Sequence, residues 1–128
     1  MIAADTSSFV AFFSDEKGLD VEAVDEALRS KQVILPPVVL SELLSGKNLP
    51  KETEVLLKSI ELLEITDGYW MRVGELRRSL LLLGRKARLA DTMIAQSCMD
   101  HRTPLITRDS DFSCFTKFDL KLVVPASP

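Results

Sequence analysis

Two kinds of segment alternate along this chain. Short apolar runs, "MIAAD", "QVILP", "LEIT", "TPLIT" and "LKLVV", are separated by longer stretches whose apolar residues recur three and four positions apart. The runs predict buried strands and the spaced stretches predict amphipathic helices. "TSSFVAFFS" offers Thr6 or Ser7 as helix caps, with Phe9, Val10, Phe12 and Phe13 as packing residues. "DVEAVDEALRSK" places Val21, Val24, Ala27 and Leu28 on one stripe, with acids outside. In "PVVLSELLSG", Pro37 suits a first turn and Gly46 a C-cap. "PKETEVLLKSIELL", "DGYWMRVGELRRSLLLLG", closing at Gly84, and "ARLADTMIAQSCMD" complete the helices. Strands alternating with helices predict an α/β domain whose central, mainly parallel sheet is covered on both faces. With neither repeat nor linker, residues 1–128 read as a single domain.

Bulk composition narrows the function classes. Hydrophobic residues at 46% supply a core. A net charge of −3 does not suggest a general nucleic-acid binder, so a polyanion partner must meet a local basic patch. Cys98 and Cys114 sit in apolar contexts without metal spacing and read as reduced core residues of a cytoplasmic protein. "MIAADTSSF" lacks the basic, then apolar, form of a signal peptide. The longest apolar run, Leu80 to Leu83, is far below the ~20 residues of a membrane span.

Acids interrupting apolar segments supply the candidate chemistry. Asp5 ends "IAAD", Asp109 ends "LITRD", Glu42 lies among apolar residues in "VVLSELL", and Asp91 shares a helical face with Ile94, Ala95 and Cys98. Each has a plain reading: Asp5, Asp91 and Asp109 as helix caps, Glu42 on a solvent face. Gathered at the carboxyl ends of parallel strands, where ligands bind in such sheets, they have another. Crowded carboxylates need a cation or must take up protons. Oxygen ligands without Cys or His select Mg²⁺ or Mn²⁺, ions suited to phosphate substrates. His101, late in its helix, reads as a surface residue. Arg85, Lys86 and Arg88, in the loop before Asp91, are placed to bind a phosphate backbone or form a solvated loop. Tyr69 and Trp70 either stack on bases or pack in a core or an oligomer.

Four motifs in order, "IAADTSSF", "VVLSELLSG", "RLADTMIAQS" and "LITRDSDF", give the chain a resemblance to PIN-domain nucleases, most of all to VapC-type toxins of toxin–antitoxin pairs. The resemblance covers essentially the whole chain. It implies a three-layer α/β/α domain with an acidic pocket for Mg²⁺ or Mn²⁺ that hydrolyses phosphodiester bonds in single-stranded regions of RNA. Asp5, Glu42 and Asp91 match the three central acids, and Asp109 matches a fourth, variable position. Thr6 and Thr107 are implied to orient carboxylates or waters, and Asp111, before Phe112, to support the site. The resemblance further implies a homodimer and inhibition by a small antitoxin. Three alternatives stand beside this reading. A PIN nuclease can serve RNA processing without an antitoxin, and a non-catalytic α/β module can share the fold. A phosphoacceptor domain would want paired acids at the first strand, and "IAADTSS" lacks the pair.

Overall fold

Ile2 to Ala4 forms the spine of the sheet. In a computed structural model describing residues 1–123, strand β1 (Ala3–Ala4) pairs in parallel with β2 (Leu105–Ile106), and β2 with β3 (Leu122–Val123). The register sets Ala3 beside Leu105 and Leu105 beside Leu122. Two parallel bridges, Ile2 to Val33 and Leu35 to Leu62, extend this sheet past β1. "QVILP" therefore pairs through isolated bridges and not as a regular strand. The pairing expected in "LEIT" falls earlier, where Leu35 N–H donates to Glu61 C=O and Leu63 N–H to Leu35 C=O. Val124, the end of "LKLVV", lies outside the described residues.

Six α-helices and one 3₁₀ helix occur among the described residues: α1 (Thr6–Phe13), α2 (Leu19–Arg29), α3 (Pro37–Leu44), α4 (Lys51–Ser59), α5 (Tyr69–Leu82), α6 (Leu89–Asp100) and the 3₁₀ helix Ser110–Phe118. Asp5 itself caps α1, so neither Thr6 nor Ser7 takes that place. Ser45 is the C-cap of α3, with Gly46 one residue beyond. The 3₁₀ helix was not legible as a period, because its spacing is neither that of a strand nor of an α-helix. α1 packs on α2 and α3, α3 on α4 and α6, and α5 on α6. Ala3, Ala4, Leu105 and Ile106 are buried with Phe9, Leu35, Leu57, Leu80, Ile94, Phe112 and Phe115. On α1, Val10 is exposed and Ala11 is buried in its stead. Cys98 and Cys114 are free and buried. No helix among the described residues is long and apolar enough to cross a membrane.

Candidate metal centre

Asp5, Asp91 and Asp109 lie at or near the starts of helices, while Glu42 lies within α3. Asp5 leaves β1 and opens α1, and the residue is only 2% exposed yet well supplied with donors. Ser8 N–H donates to Oδ1 at 2.9 Å, the Ser7 hydroxyl lies 2.9 Å from both oxygens, and the Thr107 hydroxyl donates to Oδ2 at 2.5 Å. Burial nevertheless pushes the Asp5 carboxyl above its ordinary value, against the pull of these hydrogen bonds. Thr107 is held in turn, because its oxygen accepts the Asp109 N–H at 3.0 Å.

Asp91 is the third residue of α6, not its N-cap, which is Arg88. Its carboxylate accepts no hydrogen bond among the described residues, so the helix dipole supports it but no capping bond explains it. Burial, then the negative charge of Asp109, pushes its carboxyl up to about 6. Arg88 pulls the other way, and the charges of Asp5 and Glu42 add to the rise. Asp109 lies three residues past the end of β2 and caps the 3₁₀ helix, accepting the Asp111 N–H at 2.9 Å. That turn brings Asp111 back toward Asp91.

Asp91, Asp109 and Asp111 each offer a carboxylate oxygen within 4.8 Å of the others. At such separations two unit charges repel by about 3–4 kcal/mol at an effective dielectric near 20. A divalent cation is the chemical remedy, and the all-oxygen donor set fits Mg²⁺ or Mn²⁺. Asp111, expected as a supporting residue, thus stands in the cluster. Asp5 and Glu42 lie outside this triad, and their charges reach Asp91 from beside it. Glu42 sits on the exposed side of α3, where its Oε1 accepts the Thr6 hydroxyl at 2.5 Å.

The basic loop is exposed at Arg85, Lys86 and Arg88, and Lys86 Nζ lies 3.5 Å from Asp111 Oδ2. The neighbouring Arg77 spends its Nε–H on Ala87 C=O, fixing the loop to α5. His101 is the C-cap of α6, at the opposite end from Asp91, with Nε2 2.8 Å from Glu64 C=O. Tyr69 is buried and its hydroxyl donates to Met93 C=O, while Trp70 is 62% exposed. Arg108 and Asp20 were missed as residues bearing on the site. Nothing in the spacing of residues 20 and 108 announces the ion pair that joins them.

Among family models, the one described as the PIN domain matches residues 2–117. Among solved structures, the chain is similar to VapBC-5 of Mycobacterium tuberculosis, a member of the VapBC family of toxin–antitoxin systems. The identity is 24% and the TM-score 0.63, over 95% of this chain and 98% of that one. It is also similar to a toxin–antitoxin complex from Klebsiella pneumoniae, at 20% identity and a TM-score of 0.69 over 100% of both chains. VapBC2 from Rickettsia felis, solved bound to a DNA fragment from its promoter, gives 20% and 0.69 over 96% of this chain and 98% of that one. At these identities the likeness speaks for the fold. No curated protein gives a significant match.

Proposed function

Since the chain belongs to the PIN-domain family, we propose that its acidic pocket is the centre of a metal-dependent endoribonuclease that cuts single-stranded regions of RNA. The observation carrying this reading is the convergence of Asp91, Asp109 and Asp111, with Asp91 pushed up to about 6 beside them. Asp5, Glu42, Asp91 and Asp109 would hold a Mg²⁺ or Mn²⁺ ion, with Asp111 offering a further oxygen beside Asp91 and Asp109. Bound there, the ion supplies the positive charge that makes water a better nucleophile and offsets charge developing on the phosphodiester. Thr107 and Thr6 keep the Asp5 and Glu42 carboxylates oriented through their hydroxyl donors. Arg85, Lys86 and Arg88 bind the RNA backbone electrostatically, which positions it without reading sequence. In-line attack by water on the scissile phosphorus forms a new P–O bond as the opposite bond to a ribose oxygen breaks, leaving a phosphate on one strand end and, once that oxygen takes up a proton, a hydroxyl on the other.

The similar structures named for VapBC systems and a toxin–antitoxin complex support a toxin role with a small antitoxin as partner. Exposed Leu81, Leu82, Leu83 and Leu89 support a second copy as a further partner. The direct test maps the ends left on an RNA holding single-stranded and duplex regions, with Mg²⁺, Mn²⁺ or a chelator. Cuts confined to single-stranded regions and abolished by the chelator are the expected result. Cleavage unaffected by the chelator, or none under any condition, overturns the reading.

A further inference from the structure

We infer that Arg108 is a positioning residue for the acidic pocket, acting through a closed ring of hydrogen bonds that holds Asp5 and the Thr107–Asp109 segment in one arrangement. The inference rests on the reading of that pocket as a cation site. The Arg108 guanidinium meets Asp20 two-pronged, with Nε 2.8 Å from Oδ2 and Nη2 3.2 Å from Oδ1. Asp20, in the first turn of α2, also accepts the Ser8 hydroxyl at 2.9 Å. Ser8 N–H donates to Asp5 Oδ1, and Asp5 Oδ2 accepts the hydroxyl of Thr107, the residue before Arg108. The ring Asp5, Ser8, Asp20, Arg108, Thr107 is thereby closed. Ser8 and Asp20 are both buried.

The ring has two consequences for the acids. It anchors Thr107 to Asp5 and Arg108 to Asp20, and the anchored Thr107 hydroxyl accepts the N–H of Asp109, which caps the 3₁₀ helix that carries Asp111. It also turns a guanidinium aside. Arg108 adjoins Asp109 in sequence, and a free positive charge there would compete with a cation for the carboxylates. Its nitrogens instead go to Asp20, to Glu16 at 3.1 Å and to Lys17 C=O at 3.2 Å. The arrangement parallels the outer groups that orient metal ligands generally, whose loss weakens metal binding about 10–100-fold.

The test uses the full chain with Arg108→Gln and Arg108→Lys, read by Mn²⁺ titration and by amide hydrogen exchange followed by NMR. Arg108→Gln should bind Mn²⁺ about tenfold or more weakly. The Asp109 N–H, which depends on Thr107, should exchange faster. RNA cleavage should fall at limiting Mn²⁺ and recover in excess. Arg108→Lys keeps the charge opposite Asp20 but lacks the fork. It should be intermediate, and it carries the test if Arg108→Gln does not fold. Variants that melt earlier yet bind Mn²⁺ as the parent does, with unchanged Asp109 exchange, would make the ring purely structural and overturn the inference. If the parent binds no Mn²⁺, the cation reading fails separately. The exchange of Asp109 then decides for the ring if accelerated and against it if unchanged.

Discussion

Asp91 carries the crowding of the acidic pocket on a face of α6 that is otherwise apolar. Its place on a face with Ile94, Ala95 and Cys98, all buried, marks it as unusual in the sequence. The ordinary cause, an N-cap, fails because the helix starts at Leu89 and Asp91 is its third residue. Asp5 and Asp109 were equally legible, and both do cap helices while also facing the pocket's charge. Of the two readings open for Glu42, the structure takes the solvent-facing one, since its apolar neighbours in sequence fall on other faces of an eight-residue helix. The crowding has a sign that pH can read. Burial and the charge of Asp109 push the Asp91 carboxyl of the folded chain up to about 6, above the ordinary 3.8 of an unfolded chain. Between those values the folded state binds the extra proton. The metal-free protein should therefore gain stability as pH falls from above 6 toward 4, and lose it as pH rises. Urea melts across this range should show that slope, and Asp91→Asn should flatten it. A parent whose metal-free stability rises steadily with pH through this window would rule out a crowded Asp91. Mn²⁺ should bind more weakly below about pH 6, as protons compete for Asp91.

Helices read well at the scale of elements and strands less well. Amphipathic spacing located α2, α5 and α6, because a stripe such as Val24 and Ala27 must face a core. Apolar runs located the buried extended segments but overstated their ladders, which span two residues each. A continuous apolar run reports burial on both faces and not how many residues pair. The tie between α5 and α6 is measurable at Tyr69, whose hydroxyl donates to Met93 C=O and accepts from the Ser97 hydroxyl. Tyr69→Phe should cost about 1–3 kcal/mol, because it removes the phenol that donates to the half-buried Met93 C=O and accepts from the buried Ser97 hydroxyl. Denaturant unfolding checks this, and no loss would mean water replaces the phenol. The loop before α6 makes a separate prediction. Replacing Arg85, Lys86 and Arg88 together with Ala should weaken binding about equally for all RNA sequences and reduce the slope of log K against log salt by up to about 2–3. If cleavage instead moves to new sites with binding intact, these residues select sequence.

On the scale of the whole molecule, the excess of leucine in "SLLLLG" has a structural counterpart. Leu82 is 80% exposed, beside exposed Leu81, Leu83 and Leu89. Trp70 and Met71 are exposed at the other end of α5. If a second copy covers this surface, sedimentation at micromolar protein should give a dimer and Leu82→Glu a monomer. A parent that is monomeric alone leaves that face to another partner. The central claim is that the carboxylates around Asp91 act by holding a divalent ion. It is tested most directly by comparing the parent with Asp91→Asn in single-turnover RNA cleavage, with Mn²⁺ melting shifts on the same samples. Asn removes a pocket charge with almost no change in side-chain size. The variant should fold, be no less stable than the parent without metal, and lose most of the stabilisation that Mn²⁺ confers by binding the native state. Its cleavage rate should fall by orders of magnitude. A folded Asp91→Asn that cleaves RNA at the parental rate and keeps the full Mn²⁺ shift would contradict the account.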